Sequence, residues 1–81
     1  MKKVTIDTHK LTTMAEIHDH LAKELNFPDY YGKNLDALYD CLTEINEETE
    51  IELLAEEGTF LPLRKVFTAA TKSNKNLIII K

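Results

Sequence analysis

The sequence predicts an α/β fold, a small three-stranded parallel sheet packed by three main helices, from two features of the chain. Three short segments have the apolar patterns of strands, and three other segments repeat apolar residues at steps of three and four, as helices do. Their order is strand, helix, helix, strand, helix, strand, which favours parallel pairing through right-handed crossovers. Because 81 residues can close only one small core, we expect a single domain over residues 1–81.

The first two elements are a strand over residues 2–6 and a helix that begins after Thr13. Val4 and Ile6 share one face of the predicted strand. Thr13 and Glu16 form a capping box, a pattern typical of a helix N-terminus. The core stripe of this helix consists of Met14, Ile17, Leu21 and Leu25.

His18 lies beside that stripe, and we interpret it as a half-buried packing residue in preference to a catalytic one. Asn26 and Pro28 are expected to end the helix, since the residue before a proline is pushed out of the α region. Gly32, in the loop that follows, is expected to adopt a backbone conformation that a larger residue resists.

The second helix is predicted from Asn34, which suits the N-cap position, to about Thr43. Its apolar stripe consists of Leu35, Leu38, Leu42 and Ile45. A second, polar stripe with the same spacing is expected to face solvent: Asp36, Tyr39, Asp40 and Thr43. Like charges one turn apart destabilise a helix by roughly 0.2–0.5 kcal/mol, so this acidic pair suggests either a functional use or an ordinary solvated face.

The next strand is predicted at residues 50–54, where Ile51 and Leu53 alternate with acids. Residues 55–60 are a predicted loop that contains Gly58.

The last helix is predicted to begin near Pro62, because proline suits the first turn of a helix. Its apolar stripe consists of Leu63, Val66, Phe67 and Ala70. Asn74 or Asn76 is expected to end it. The apolar run at 77–80 predicts a strand buried on both faces of a parallel sheet.

Charge is concentrated in the middle of the chain. Residues 29–57 contain ten acids and one base, Lys33, which is a net charge of −9. This balance argues against a nucleic acid as the direct ligand and favours a basic partner. A solubilising acidic surface would have the same composition.

Several other classes of protein find no support in the sequence. Cys41 is the only cysteine, which favours a reducing cytoplasm over a disulfide framework, and we interpret it as an inert thiol near the core. No apolar run is long enough to span a bilayer, and the N-terminus lacks the features of a signal peptide. No spacing suits a zinc site, so no metal or cofactor is expected.

The stretch from residue 23 to 43 resembles the signature of the barstar family, the intracellular inhibitors of barnase-type ribonucleases. The resemblance rests on Lys-Glu-Leu at 23–25, Pro28, Tyr-Tyr-Gly at 30–32 and the run from Asn34 to Thr43. It is dense over about residues 14–43 and looser to the end of the chain. It implies a barstar-like fold and an inhibitor without enzymatic activity.

The resemblance also implies roles for individual residues in a loop-helix at 30–45 that plugs the ribonuclease active site. The carboxylate of Asp40 would stand where the RNA phosphate binds, Asp36 would face the basic rim, and Tyr30 would pack on the catalytic histidine. Further implied contact positions are Tyr31, Gly32, Asn34, Leu35, Tyr39 and Thr43. The implied partner is a basic extracellular ribonuclease, bound one to one by a monomer.

The chain departs from the best-known family member at several positions. Tyr39 and Ile45 stand where that member has tryptophan, and Glu44 stands where it has glycine. Ala69 stands where the last helix of the family carries a glutamate. The connection before the last helix is also shorter, so we expect the short third helix of that member to be lost or reduced to a turn.

Two other functions are compatible with the residues. A barstar-like module could bind a different basic protein or toxin through the same acidic face. An enzyme could use Asp36 and Asp40 as paired carboxylates, whose spacing in a helix is close to that in retaining glycosidases. One convex helix in so small a domain offers no deep cleft for that chemistry, so we favour the inhibitor.

Overall fold

The computed structural model describes residues 2–55 and 60–80, and it confirms the predicted α/β fold and order of elements. The elements are β1 (Lys2–Asp7), α1 (Met14–Glu24), α2 (Leu35–Thr43), β2 (Thr49–Leu54), α3 (Leu61–Ser73) and β3 (Leu77–Ile80). The predicted loop at 55–60 lies between β2 and α3, but Gly58 is outside the described residues. Within the described ranges, no helix has both the length and the apolar composition needed to cross a membrane.

The sheet is parallel, with the strands in chain order β1-β2-β3. Right-handed crossovers between strands in this order place all the helices on one face of the sheet. The burial agrees, since Val4 and Ile51, which are partners across β1 and β2, are buried, and so is Leu77 of β3, whose partner on β2 is the buried Thr49. The core therefore lies between one face of the sheet and the helices.

The prediction that β3 is buried on both faces is wrong. Leu77 is buried against the core, but Ile78 points away from it and is 42% exposed. β3 pairs only with β2 and forms an edge of the sheet, and the helices cover a single face. A continuous apolar run indicates a strand but does not show how many of its faces are covered.

Local hydrogen bonds set both ends of α1. The capping box at Thr13 and Glu16 is formed. α1 ends where Asn26 adopts a positive φ of 56° and the Phe27 N–H donates to the Ala22 carbonyl, 3.0 Å away. This ending turns the chain away from the helix axis and starts the loop that leads to α2.

The ends of α2 and α3 are joined by one buried side chain. The Nδ2 group of Asn74, at the C-cap of α3, donates to the backbone carbonyls of Leu42 (2.9 Å) and Ile45 (3.0 Å). The Leu42 carbonyl also accepts from the Ile45 N–H at 3.4 Å, and the Ile45 carbonyl also accepts from the Asn76 side chain at 3.1 Å, so Asn74 adds to the bonds that close the end of α2. Asn74 therefore anchors α2, the helix with the acidic stripe, to the rest of the fold.

Candidate functional site

The position of α2 is fixed by its cap and by its apolar face. The side chain of Asn34 accepts a hydrogen bond from the Ala37 N–H, 2.8 Å away, which confirms the predicted N-cap. Leu38 and Leu42 are fully buried in the core, whereas Leu35 is half-buried at its margin. A helix held in this way presents its opposite face to solvent.

Asp36 and Asp40, the two aspartates of the polar stripe, are exposed, as predicted. Glu44, one turn further along, is exposed as well. Within the described residues, no basic side chain forms an ion pair with any of the three. These carboxylates are therefore available to cations from another molecule.

Tyr39 and Thr43, the other two residues of that stripe, are only half-buried and are held by bonds within the chain. The Tyr39 hydroxyl lies 2.9 Å from the Ser73 hydroxyl on α3, and the Thr43 hydroxyl donates to the Asp40 carbonyl, 2.9 Å away. Their expected exposure is thus correct only in part. Both hydroxyl groups already have a hydrogen-bond partner within the chain, so they are less available to another molecule than the two carboxylates are.

The two adjacent tyrosines of the loop have opposite environments. Tyr30 is 88% exposed, whereas Tyr31 is only 8% exposed and belongs to the core. Tyr31, one of the contact positions that the resemblance implies, therefore has little side-chain surface available to a partner. Its ring packs at 4.9 Å from that of Phe27, which holds the loop on the protein body.

His18 on α1 is the hydrogen-bond partner of Tyr31. Its side chain is 4% exposed, and its Nδ1 lies 2.5 Å from the Tyr31 hydroxyl. Burial raises the pKa of Tyr31 and, together with a weaker effect of Cys41, keeps the phenol protonated. Burial also lowers the pKa of His18, which favours a neutral ring that can accept a hydrogen bond from the phenol. The predicted packing histidine is thus more deeply buried than expected.

The expectation that Gly32 has a backbone conformation reserved for glycine is wrong. Its φ is not positive, and the residue of this loop with a left-handed backbone is Lys33, at a φ of 53°. The restriction at Gly32 is steric. A Cβ atom there would lie 3.0 Å from the Nδ2 atom of Asn34, which donates to the Gly32 carbonyl at 3.3 Å. A larger residue would require the capping side chain to shift by a few tenths of an ångström.

Lys33, the one base in the acidic stretch, is directed toward α1. Its Nζ lies 2.7 Å from a carboxylate oxygen of Asp19. The pair is exposed, so its contribution to stability is small. It nevertheless pairs Lys33, the only cationic side chain of the loop, with Asp19, so that Lys33 does not pair with Asp36 or Asp40.

A groove of about 440 Å³ lies between the loop and α2, and sequence reasoning did not reveal it. Apolar and aromatic side chains from both elements line it, and Asp40 and Glu44 contribute carboxylates. Cys41 also lines the groove; burial, followed by the nearby Glu44 and Asp40, raises the pKa of its thiol. This shift keeps the thiol protonated, which supports the interpretation of an inert residue. The groove joins residues of two segments, so no local pattern reveals it.

No group of three or more potential ligands among His, Cys, Asp and Glu lies close enough to hold a metal ion in the part of the chain that the structure describes. The groups that this face presents are exposed carboxylates, one exposed aromatic ring and an apolar groove.

The buried His18 predicts that the protein loses stability in mild acid. Because the pKa of His18 is lowered in the folded state, the unfolded chain binds more protons below pH 6.5. The free energy of unfolding should therefore be highest above pH 6.5 and fall as the pH drops toward the folded-state pKa. Urea denaturation between pH 7.5 and 5.5 measures this change.

The His18→Asn variant is the control for that experiment, since it keeps a polar side chain without a titrating ring. We expect a flatter pH dependence in the variant. An equally steep decline in both proteins would show that another group is responsible.

Comparisons with known proteins identify the family of this chain. The family model described as Barstar (barnase inhibitor) matches residues 1–76. A protein of Bacillus subtilis (strain 168) named "Putative ribonuclease inhibitor YrdF" is 54% identical over 43 residues, which are 53% of this chain and 47% of that protein. The match thus spans about half of each chain. With the family model covering nearly its whole length, the chain belongs to the barstar family.

Proposed function

We propose that this protein inhibits a basic, barnase-type extracellular ribonuclease by covering its active site, without catalysing a reaction itself. The observation that carries the proposal is the pair of exposed carboxylates, Asp36 and Asp40, which have no ion-pair partner among the described residues. Membership of a family described as barnase inhibitors supports the same function. The proposed site of action is the cytoplasm, where a monomer binds one ribonuclease molecule.

The chemical basis is that a carboxylate can replace a phosphate. Both accept charge-assisted hydrogen bonds from arginine and lysine, and the two oxygens of a carboxylate match the fork of a guanidinium group. Asp40 lies in the middle of α2 and lines the groove, so in the proposed complex it occupies the phosphate position. Asp36, one turn nearer the N-terminus, meets the basic rim.

The helix is rigid before the partner arrives, which reduces the entropy lost on binding. Asn34 caps it, and the core holds its apolar face. In the proposed complex Tyr30 supplies a large exposed ring at the edge of the groove. Tyr31, Gly32, Asn34 and Leu35 act mainly by holding the loop and the start of the helix, and Tyr39 and Thr43 shape the face between the acids.

The test is RNA cleavage by a purified barnase-type ribonuclease, titrated with this protein at low and moderate salt. We expect inhibition to be complete near one inhibitor per enzyme, to compete with RNA and to weaken as salt rises. The Asp36→Asn variant should inhibit less and depend less on salt. Glu47→Gln removes the same charge from an exposed turn outside the groove and should behave like the wild type.

Absence of inhibition by a folded sample, or inhibition that ignores salt, would contradict the proposal. The first result would favour the other function open to this fold, binding of a different basic protein or toxin through the same acidic face. Co-purification with a basic protein that depends on Asp36 and Asp40 would then identify that partner.

A further inference from the structure

The outer face of α3 has the opposite charge to α2. Residues 60–80 contain four bases, Arg64, Lys65, Lys72 and Lys75, and no acid. The acidic stretch at 29–57 and this basic segment are therefore separated along the chain. Binding to an enzyme that is basic throughout does not require such a segment, so its position in the fold bears on the kind of partner that the protein binds.

An open groove of about 570 Å³ runs along that outer face. Leu61, Lys65, Thr68 and Lys72 line it at steps of four, three and four, which places them on one side of the helix. The opposite side of α3 carries the buried core residues. Leu61, in the first turn, is 49% exposed, so one end of the groove is apolar, and basic side chains line the rest of it.

The two lysines of the groove have no counter-charge. Within residues 2–55 and 60–80, no carboxylate lies within 4 Å of Lys65 or Lys72. Lys3 and Lys33, by contrast, each lie next to a carboxylate, on Glu52 and Asp19 respectively. The charges of Lys65 and Lys72 are therefore available to an anionic group of another molecule.

One end of the α3 groove adjoins α2. Ser73, which follows Lys72 and also lines the groove, bonds through its hydroxyl to the hydroxyl of Tyr39 at 2.9 Å. Tyr39 lies on α2 between Asp36 and Asp40. A partner that covers both aspartates, on either side of Tyr39, would therefore also lie close to Ser73, at the Lys72 end of the α3 groove.

We propose that the α3 groove docks on an acidic surface segment of the same ribonuclease that α2 inhibits; this inference rests on the proposed function. The partner is then a ribonuclease whose basic active site is flanked by an acidic patch. A partner that is basic throughout would be repelled by Lys65 and Lys72, because like charges across an interface oppose association. The groove thereby selects among basic ribonucleases.

The test is a double charge reversal, Lys65→Glu with Lys72→Glu, measured against the barnase-type ribonuclease that the wild type inhibits most tightly. Lys10→Glu with Lys23→Glu is the matched control, because it changes the net charge equally at exposed positions outside the groove. We expect the groove variant to bind roughly tenfold more weakly, mainly through slower association at low salt. The control should bind as tightly as the wild type or more tightly.

Weaker binding of the groove variant than of the control indicates a ribonuclease with an acidic patch, and equal or tighter binding indicates one that is basic throughout. If the groove variant binds as tightly as the control, or more tightly than the wild type, no acidic segment contacts α3 and the inference is wrong. If the wild type and Asp40→Asn behave as the inhibitor model requires while the groove variant shows no loss, only this inference fails. If the wild type inhibits no ribonuclease, the proposed function and this inference fail together.

Two further measurements exclude other occupants of the groove. Sedimentation of the free protein would reveal a second copy docked by its acidic face, as a dimer that dissociates with salt and with the charge reversal. Fluorescence anisotropy with a labelled single-stranded RNA would reveal binding that the reversal removes. Either result would assign the groove to that occupant and overturn the proposal.

Discussion

Replacement of Asp40 by asparagine should abolish most of the inhibition while leaving the fold intact. Asparagine keeps the size of the side chain but lacks the charge that we propose substitutes for an RNA phosphate. Removing one member of a hydrogen-bonded charge pair buried at an interface costs about 2–5 kcal/mol, a range drawn in part from the barnase–barstar complex itself. We therefore expect inhibition to weaken roughly 30- to 5,000-fold.

The free protein gives no reason for Asp40 to affect stability. Its side chain is exposed, and no ion pair holds it within the described residues. Most of the loss should appear as faster dissociation, because the charge lies at the centre of the proposed interface. Thermal and urea unfolding of the variant should match the wild type.

The Glu47→Gln variant is the control, since it removes one negative charge from an exposed position outside the groove. It should change only the long-range attraction between the two proteins, by a small factor that disappears at high salt. An Asp40→Asn variant that inhibits as well as Glu47→Gln would show that the phosphate position is occupied by another residue.

The features that the sequence predicts well are those encoded by neighbouring residues. The cap at Asn34 and the buried positions Leu38 and Leu42 depend on spacing within two or three turns, and the structure contains all of them. The exposure of Asp36 and Asp40 follows from the same periodicity. The acidic face of the candidate site could therefore be described before the fold was known.

The features that the sequence did not reveal depend on residues far apart in the chain. Tyr30 and Tyr31 are neighbours in an irregular loop, where no period separates buried from exposed side chains. The contacts with Phe27 and with His18, the latter thirteen positions earlier, explain why Tyr31 is buried. The Tyr39–Ser73 bond spans 34 positions in the same way.

Whether one or both faces of β3 are covered could not be predicted from neighbouring residues either. The run at 77–80 has the composition of a central strand, yet β3 lies at the edge of the sheet. Its coverage depends on which strand it pairs with and on which side the helices pack. Both are properties of the whole topology, so a four-residue pattern could not distinguish a strand covered on one face from one covered on two.

Leu38→Ala is expected to have the largest effect on stability. Leu38 is fully buried on the inner face of α2, within the core that α2, α3 and the sheet share. Truncating a buried leucine costs about 2–5 kcal/mol, from the lost burial and the cavity left behind. Small domains are stable by only about 5–15 kcal/mol, so the variant should be close to unfolding at moderate temperature.

Leu61→Ala makes the same chemical change at a half-exposed position on α3 and should cost much less. Urea denaturation of both variants at pH 7.5 measures the difference without the loss of stability that His18 causes at lower pH. Because Leu38 faces away from the partner, the folded fraction of Leu38→Ala should still inhibit at low temperature. Equal stability of the two variants would mean that the inner face of α2 is not the one that holds this helix.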